Sequence, residues 1–351
     1  MKWGLTTGTC AALATKAAIL LLIEAVRSES VAVILPDGAS AEQAVYDLAC
    51  EGETASATVI KDAGDDPDVT HGTRVISTLR LNSVGEVRFI AGLGVGTVTR
   101  AGLSIPPGEA AINPGPRQMI EQVIKEVTDL GIDVTISVPQ GLELAQKTFN
   151  PRLGIEGGIS ILGTTGRVRP FSAAALQESL KCALDVFIAE GLTDIVLAPG
   201  NMGNGAALTH FDVTEEQVVD VSNEWGFMLR EVEQCGLRHL LIVGHPGKLA
   251  KLAMGQWQTH SSFSTSAVSF VTDLGQDLLP THTEEANTVE ELFMTLLEPP
   301  QRERLANRLA AAIALSIVET YPELPAPHVV LINLKRDILG SDGDPGIWRK
   351  Q

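Results

Sequence analysis

LGIEGGISILGTTGRVRPFS, residues 153–172, is the segment from which the architecture can be predicted. Within it, Ile159–Leu162 is a short apolar run next to glycines, which is typical of a buried strand. Gly163–Gly166 then turns the chain with little side-chain bulk, and Ser172 can cap a helix that starts at Ala173. Strand, glycine loop and helix in this order predict a ligand-binding unit of an open α/β sheet, because ligands bind beyond the carboxyl ends of such strands.

Two later segments repeat this pattern. Asp194–Ala198 is predicted to be a strand and is followed by the glycine-rich residues 199–205, PGNMGNG. His239–Val243 is a second predicted strand, followed by residues 244–248, GHPGK, in which proline suits the first turn of a helix. If the strands are parallel, all three loops open on one edge of the sheet, and we expect a binding site there. Each loop taken alone is equally compatible with a simple tight turn.

The two halves of the chain predict different architectures. Strand, loop and helix alternate in the second half, which indicates an α/β domain with a mostly parallel sheet. The first half mixes hairpins and alternating strands with two amphipathic helices, which indicates an α+β domain. We therefore predict an α+β domain over residues 1–149, with an acidic loop and a glycine-rich ribbon, and an α/β domain over residues 150–351 with a glycine-loop ligand site.

Composition limits the classes of partner. The formal net charge is −17 and no basic face is evident, so nucleic acid is not an expected partner. The four cysteines form no CxxC pair, which favours a reducing compartment over a disulfide framework. Lys16 and Glu24 interrupt the apolar N-terminal segment, so neither a membrane span nor a secretory signal is expected. These features together predict a cytoplasmic protein.

An acidic loop is the most unusual local feature of the first half. Residues 61–72, KDAGDDPDVTHG, contain four aspartates within seven residues, so a cation, backbone amides, Lys61 or Arg74 must offset their repulsion. The spacing does not fit an EF-hand. The loop could bind a divalent metal, accept a proton or clamp hydroxyl and ammonium groups. It could equally be a solvated turn in which aspartates cap backbone amides.

Two other N-terminal motifs have competing interpretations. Thr9 is a plausible N-cap of the first helix, which would place Cys10 where the helix dipole acidifies a thiol. We favour a small buried cysteine instead, although the amides of this turn could still hold an anion. Gly92–Gly96 resembles a dinucleotide fingerprint, but no helix follows it, so a glycine-rich β-ribbon fits better.

Several long motifs carry a family resemblance. TTGTCAA at residues 6–12, the acidic loop at 61–72, AINPGPR at 111–117 and residues 150–172 occur in the order found in the cobalt-precorrin-5B C1-methyltransferase family. The resemblance covers roughly residues 3 to 260. There are two departures from the family pattern: Asn204 stands where the family tends to have glutamate, and Ser262–Ser266 replaces a more polar segment.

The resemblance implies an S-adenosylmethionine-dependent C-methyltransferase of anaerobic, cobalt-early cobalamin biosynthesis. Its substrate would be a polyanionic tetrapyrrole, and cobalt would enter only as part of that substrate. A resident metal site is therefore not expected. S-adenosylmethionine is the expected co-substrate, and a homo-oligomer stays open as a further partner.

Site residues follow from the motifs that match. Arginine and lysine suit the carboxylate rim of a tetrapyrrole, and the candidates for substrate binding are Lys61, Arg117, Arg152, Arg167 and Arg169. Small and hydroxyl residues of the glycine loops suit the donor, and the candidates are Gly163, Thr164, Thr165, Gly166, Gly203 and Gly244. If an acid–base group takes part in catalysis, the candidates are Asp62, Asp65, Asp66 and His71.

Two alternative functions stay open from the sequence. A metal-dependent hydrolase or phosphotransferase would use Asp62, Asp65, Asp66 and Asp68 as ligands and would bind Mg²⁺ or Mn²⁺. A non-catalytic corrinoid carrier would bind the macrocycle without affinity for S-adenosylmethionine.

Overall fold

The chain folds as two compact units in a computed structural model that describes residues 2–170, 172–279, 286–295 and 297–350. The units are Met1–Ala173 and Ala174–Gln351. The predicted α+β and α/β classes are both observed. The division falls later than the predicted boundary at residue 150, so residues 150–173 belong with the N-terminal unit. The reason is that this segment closes the start of the first helix, as described below.

The N-terminal unit contains a long first helix, two shorter helices and many short strands. Its helices are α1 (Thr7–Glu24), α2 (Pro114–Lys125) and α3 (Gly141–Ala145). Its strands are β1 (Gly4–Leu5), β2 (Ser30–Ile34), β3 (Ser40–Ala44), β4 (Tyr46–Glu51), β5 (Thr54–Ile60), β6 (Arg74–Leu81), β7 (Val87–Ala91), β8 (Gly94–Val95), β9 (Thr97–Val98), β10 (Ile132–Ser137), β11 (Ile155–Glu156), β12 (Gly158–Ile159) and β13 (Arg167–Val168).

A five-stranded sheet and the helix α1 form the core of this unit. The strand order is β4-β5-β6-β10-β7, and every neighbouring pair is antiparallel except β10 with β7. In β10, Ile132, Val134 and Ile136 alternate with half-buried polar residues, so one face of the strand lies in the core. Helix α1 packs against β5, β6 and α2 with small alanine side chains that allow close approach. It is long and apolar enough to cross a membrane by length and composition, but 72% of that window is buried inside the protein, as in a core helix.

The start of α1 is closed by residues far away in sequence. Thr6 is the N-cap, and its hydroxyl accepts the Thr9 amide at 3.1 Å, so the predicted cap at Thr9 was wrong. The Gly8 amide donates to the Leu162 carbonyl at 3.0 Å, and the Thr9 hydroxyl donates to the Gly166 carbonyl at 2.7 Å. Because the Gly8 and Thr9 amides pair with the protein, they are not available to a bound anion.

The predicted strand Ile159–Leu162 is therefore not part of the later parallel sheet. Within this segment, β12 pairs in parallel with β8, and Ile161 forms an isolated bridge with Ile112. The glycine ribbon around Gly94 is extended and followed by no helix, as predicted. The helix predicted from Ala173 is present over Ala173–Ala189. The loop Gly163–Gly166 belongs to the N-terminal unit, however, so it does not join this helix to a strand of the parallel sheet.

The C-terminal unit alternates helices and strands. Its helices are α4 (Ala173–Ala189), α5 (Gly200–His210), α6 (Trp225–Glu233), α7 (Pro246–Ala253), α8 (Val268–Leu274), α9 (Val289–Met294) and α10 (Pro299–Thr320). Its strands are β14 (Asp194–Ala198), β15 (Val218–Asp220), β16 (His239–Gly244), β17 (His328–Ile332) and β18 (Ile338–Asp342).

The C-terminal unit is built on one sheet, in which the order of the strands changes direction between β14 and β16. The strand order is β15-β14-β16-β17-β18, in which the first four strands are parallel and β18 is antiparallel. The strands β14 and β16 lie next to each other, but the chain leaves β14 towards β15 on one side and leaves β16 towards β17 on the other. Such a switch point opens a crevice at the carboxyl ends of the two strands, where ligands of open α/β sheets bind.

We expect Gly163→Ala to destabilise the N-terminal unit strongly. Gly163 has φ of 131°, and a methyl group there would overlap the Thr6 side chain. Strain and overlap together should cost about 3 kcal/mol of unfolding free energy, measured by urea denaturation. Gly157→Ala is the matched control, because Gly157 also has a positive φ (86°) but open space around it. Its cost should stay near 1 kcal/mol; equal losses in both variants would contradict the packing role.

Candidate functional site

The acidic loop and the glycine loop lie on opposite sides of the short strand β1. On one side, β1 pairs antiparallel with β13, with Leu5 opposite Arg167. On the other side, the Leu5 amide donates to the Asp62 carbonyl at 2.8 Å, and Trp3 forms a bridge with Gly64. The family motifs of the first half are thus brought together around the first residues of the chain.

The carboxylates of the acidic loop are used to hold this arrangement. Asp62 accepts the Lys2 ammonium at 2.6 Å and the Gly64 amide at 2.9 Å, and these bonds hold the pKa of Asp62 below its usual value. Asp65 accepts the Lys2 backbone amide at 2.6 Å. A general base works best when its pKa is near the working pH, so the lowered pKa and the two hydrogen bonds favour a structural role for Asp62, and its catalytic role stays a prediction.

The other side of the loop is anchored by a buried ion pair. Lys61 is 1% exposed, and its ammonium lies 2.6 Å from Asp68. Burial alone would raise the pKa of Asp68, but the charge and hydrogen bond of Lys61, with hydrogen bonds from Thr70, outweigh it and lower that pKa. The buried Lys61 ammonium is thus engaged by Asp68, which favours a structural role; its predicted role in substrate binding stays a prediction.

His71 and Asp66 complete the set of proposed acid–base groups. The exposed ring of His71 accepts the Ala63 amide at Nδ1 over 3.1 Å, so its neutral form carries the proton on Nε2. Asp66 is half-buried, and its backbone amide closes the turn onto the Ala63 carbonyl. The acid–base roles of His71 and Asp66 stay predictions.

Arg117 is also committed to the protein. Its Nε donates to the Ile112 carbonyl at 2.8 Å, a terminal nitrogen lies 2.8 Å from Glu109, and the guanidinium sits 5.1 Å from the centre of the Phe89 ring. These bonds explain why a cation is tolerated in the first turn of α2. These contacts favour a structural role for Arg117, and its predicted role in substrate binding stays a prediction.

Arg167 and Arg169 behave differently from the other predicted cations. Arg167 is half-buried and Arg169 is exposed, and within the described part of the chain neither guanidinium has a carboxylate partner. Continued by one residue, the β1–β13 register places Trp3 directly opposite Arg169, and Trp3 is 52% exposed. Directly opposite residues and those two apart share one face of a ribbon. On this continued register, the exposed indole and the two guanidinium groups, which have no carboxylate partner among the described residues, fall on one face, which we call the Trp3 ribbon.

The remaining N-terminal candidates are Arg152 and the residues of the glycine loop. Arg152 is exposed in the turn before β11, outside the Trp3 ribbon. Gly163 and Gly166 pack against the side chains of Thr6 and Thr9, which accounts for the absence of side chains at both positions. Thr164 and Thr165 are exposed on the outer side of that loop.

Cys10 is an inert core residue, as favoured from the sequence. It is fully buried, and that burial raises the pKa of its thiol to about 12. The other three cysteines are also free thiols. A nucleophilic role for Cys10 would need a thiolate that this environment disfavours.

The two glycine loops of the C-terminal unit meet at the switch point. A methyl group on Gly203 would lie 2.9 Å from the Val243 carbonyl, and one on Gly244 would lie 3.2 Å from Pro199. The loops after β14 and β16 are thus in close contact at the carboxyl edge of one sheet. This confirms that these two predicted loops share an edge, whereas the third, Gly163–Gly166, lies in the other unit.

Asp220, at the end of β15, is hydrogen-bonded to residues at the start of α5 on this edge. Its Oδ1 accepts the Gly200 amide at 3.0 Å and the Ser222 amide at 2.7 Å, and its Oδ2 accepts the Asn204 side-chain amide at 3.2 Å. Asn204 is 3% exposed, and its Oδ1 has no partner among the residues that the structure describes. The departure from the family pattern at position 204 therefore lies beside a carboxylate.

One lysine reaches across the same edge. Lys248, in the first turn of α7, directs its ammonium towards the Ser222 carbonyl at 3.4 Å. Burial lowers its pKa, although Asp220 opposes that effect. Behind it, Lys251 donates to the Thr259 carbonyl at 2.9 Å and the Ser264 hydroxyl at 2.7 Å, which anchors the divergent 262–266 segment to α7.

No metal centre is found in residues 2–170, 172–279, 286–295 and 297–350: no group of three or more His, Cys, Asp or Glu side chains could hold an ion. The aspartates of the acidic loop are instead directed to Lys2, Lys61 and backbone amides. Arg74, which the sequence offered as a partner for this loop, pairs with Asp47.

Sequence reasoning missed two residues of these sites. Trp3 was treated only as part of the chain start, and nothing in its neighbours indicated that it would be left exposed. Asp220 could have been found, because an acidic residue about 20 positions after the first glycine of a strand–loop–helix unit is a known feature of nucleotide-binding sheets.

Known proteins resemble this chain over almost its whole length. The family described as CbiD matches residues 1–170. A cobalt-precorrin-5B C(1)-methyltransferase of Syntrophotalea carbinolica is 47% identical over 349 residues, covering 99% of both chains. The protein of the same name from Citrobacter koseri is 38% identical over 97% of this chain and 93% of its own length. The crystal structure of the cobalamin biosynthesis protein CbiD from Archaeoglobus fulgidus is 31% identical, covers 70% of this chain and 78% of that one, and has a TM-score of 0.39.

We expect Asp68→Asn to destabilise the protein by about 2–4 kcal/mol at neutral pH, because it leaves the Lys61 charge buried without a partner. Since the folded pKa of Asp68 lies below its unfolded value, the pair stabilises the fold above about pH 4 and this contribution is lost as the pH falls through the folded pKa. Urea unfolding measured from pH 7 to pH 3 should show the two proteins converging in acid. Asp66→Asn in the same loop should stay within about 0.5 kcal/mol of wild type, and a constant gap across pH would contradict the ion-pair explanation.

Proposed function

The chain belongs to the cobalt-precorrin-5B C(1)-methyltransferase family, and we propose that it transfers a methyl group from S-adenosylmethionine to ring carbon C1 of cobalt-precorrin-5B. The reaction places it in anaerobic cobalamin biosynthesis, and the four free thiols are compatible with the cytoplasm. The name shared by the relatives implies a methyl donor; S-adenosylmethionine is our assignment of that donor.

The chemistry demands alignment more than acid–base catalysis. The electron pair of the ring carbon forms the new bond to the methyl carbon while the carbon–sulfur bond breaks, and neutral S-adenosylhomocysteine leaves. The sulfonium is already activated, and the macrocycle can spread charge. The protein must therefore hold carbon, methyl and sulfur in line and exclude water. The pairing of Asp62 with Lys2 and of Asp68 with Lys61, which lowers the pKa of both carboxylates, is compatible with this requirement.

The observation that carries the proposal is the Trp3 ribbon. A tetrapyrrole is a flat, apolar ring with a rim of carboxylates, so it needs an aromatic surface flanked by cations. Trp3, Arg167 and Arg169 supply both in a protein whose net charge is −17. At about 4 Å and an effective dielectric near 20, one ion pair gains roughly 4 kcal/mol before desolvation is subtracted, so two arginines can offset the overall repulsion.

We assign the donor to the carboxyl edge of the C-terminal sheet. Gly203 and Gly244 let the loops after β14 and β16 approach each other at the switch point, and this is where such folds bind nucleotides. Gly163 and Gly166 are removed from the donor assignment because their packing against α1 explains them. Thr164 and Thr165, beside Arg167, are instead placed at the margin of the tetrapyrrole surface.

A metal-dependent hydrolase is disfavoured by the same geometry. Its proposed ligands Asp62 and Asp68 are ion-paired with different lysines. A non-catalytic corrinoid carrier would share the Trp3 ribbon, so only the donor separates it from the proposed enzyme.

The function is tested by titrating S-adenosylhomocysteine in a calorimeter and by incubating the protein with cobalt-precorrin-5B and methyl-labelled donor. We expect saturable binding, a product heavier by one labelled methyl group, and no loss of activity with a chelator added to the protein. Failure to bind S-adenosylhomocysteine while the macrocycle binds would establish the carrier instead.

Arg167→Glu and Arg169→Glu should each weaken binding of a polycarboxylate tetrapyrrole by about 10–100-fold, because a rim carboxylate then meets a like charge. Uroporphyrin, monitored by its absorbance, serves as the probe. Binding of S-adenosylhomocysteine should change less than about twofold. Arg80→Glu, an exposed arginine of β6 in the same unit, makes the same change in net charge and should leave both affinities close to wild type. Equal loss of macrocycle and donor would refute the assignment.

A further inference from the structure

The first strand–loop–helix–strand unit of the C-terminal sheet, β14–α5–β15, has the form of a nucleoside-binding unit. Gly200 turns the chain out of β14 with φ of 73°, and the space where its side chain would lie is open. Asp220 ends the neighbouring parallel strand, opposite Ala198 in the register. In open α/β sheets, an acidic residue at this place, about 20 positions after the first glycine, reaches the ribose of a bound nucleotide.

Asp220 has hydrogen-bonding capacity left for a ligand. A carboxylate has about four acceptor positions, and the structure shows three donors: the Gly200 and Ser222 amides on Oδ1, and the Asn204 side-chain amide on Oδ2. The residue is half-exposed. The remaining acceptor position is on Oδ2, on the carboxyl edge of the sheet. An acceptor-only group there favours a hydroxyl donor and repels a carboxylate or phosphate.

The side chain of Asn204 orients Oδ2 of Asp220. A buried amide carbonyl without a partner is unfavourable, and the Oδ1 of Asn204 is in that position. Among the residues that the structure describes, the side chain makes one hydrogen bond, its donation to Asp220 Oδ2. The amide therefore serves to hold Oδ2, and a glutamate at this position could not donate to it in ionised form.

We propose that Asp220 binds a ribose hydroxyl of the methyl donor, with Asn204 as the positioning residue that aims Oδ2. This rests on the proposed function, because the nucleoside is that of S-adenosylmethionine. The contact involves no covalent change: Oδ2 accepts the hydroxyl proton in a hydrogen bond. The site recognises the vicinal diol of an adenosine, and it selects against ligands that lack these hydroxyls.

The first test uses the wild-type protein alone. Calorimetry compares S-adenosylhomocysteine with its 2′,3′-dideoxy analogue. A hydrogen bond to a charged group predicts that the dideoxy compound binds at least about 10-fold more weakly. Equal affinities for the two ligands would overturn the ribose assignment while leaving the donor in place. Absence of any binding of S-adenosylhomocysteine would instead overturn the proposed function together with this contact.

The second test uses variants that distinguish a loss of ligand recognition from a loss of folding stability. Asp220→Asn should lose at least about 10-fold affinity for S-adenosylhomocysteine but less than about threefold for the dideoxy analogue. The double variant Asp220→Asn with Asn204→Asp exchanges the two groups and can restore their mutual hydrogen bond. It should recover the melting temperature without recovering discrimination between the ligands. Equal weakening of both ligands in Asp220→Asn would show that Asp220 only holds the loops.

Asp194→Asn is the matched control. Asp194 begins β14 at the opposite, amino edge of the same sheet, where it pairs with Arg238 and His239. The substitution has the same size and removes the same charge. We expect wild-type affinity for both ligands, and loss of discrimination in this variant would show that net charge, rather than contact, is responsible.

Discussion

The closure of helix α1 by a loop some 155 residues away is the constraint on which the N-terminal unit depends. An α-helix leaves its first amides without partners, and here they are buried, so they must be paired. Thr6 caps one of them, while the carbonyls of Leu162 and Gly166 accept from the backbone and hydroxyls of the same turn. The loop can approach this closely because it carries glycine at 163 and 166.

That closure also sets the position of the surface assigned to the tetrapyrrole. Gly166 is followed at once by β13, which pairs with β1, and the acidic loop holds β1 from the other side through Lys2 and the Leu5 amide. In the sequence these carboxylates look like a catalytic or metal-binding cluster. In the structure, Asp62 and Asp65 bind Lys2 and hold the first residues in place. Two of these carboxylates pair with Lys2 and Lys61, whereas Arg167 and Arg169 have no carboxylate partner among the described residues.

The parallel sheet was predictable because its signals are local. Strand β14 was predicted to the residue, and the loops after β14 and β16 meet at the edge where they were expected. Ile159–Leu162 shows why other parts of the fold were not predictable. A four-residue apolar run between glycines has the same sequence pattern whether it joins a large sheet or pairs with short strands in another unit. Similarly, Lys61 and Arg117 are cations in family motifs, and only the fold shows that Asp68 and Glu109 already occupy them. The position of the strand and the partners of the two cations depend on contacts between residues far apart in sequence, which local secondary-structure propensity does not reveal.

The placement of residues 162–166 has a consequence for dividing the protein experimentally. A truncated protein ending at residue 149 would expose the capping turn of α1, because it lacks the Leu162 carbonyl that accepts the Gly8 amide and the Gly166 carbonyl that accepts the Thr9 hydroxyl. We expect such a protein to be insoluble or sensitive to proteases. A product carried through to residue 173 would keep the helix start sealed. Autonomous folding of the first half therefore requires the segment that, on periodicity alone, would have been expressed with the second.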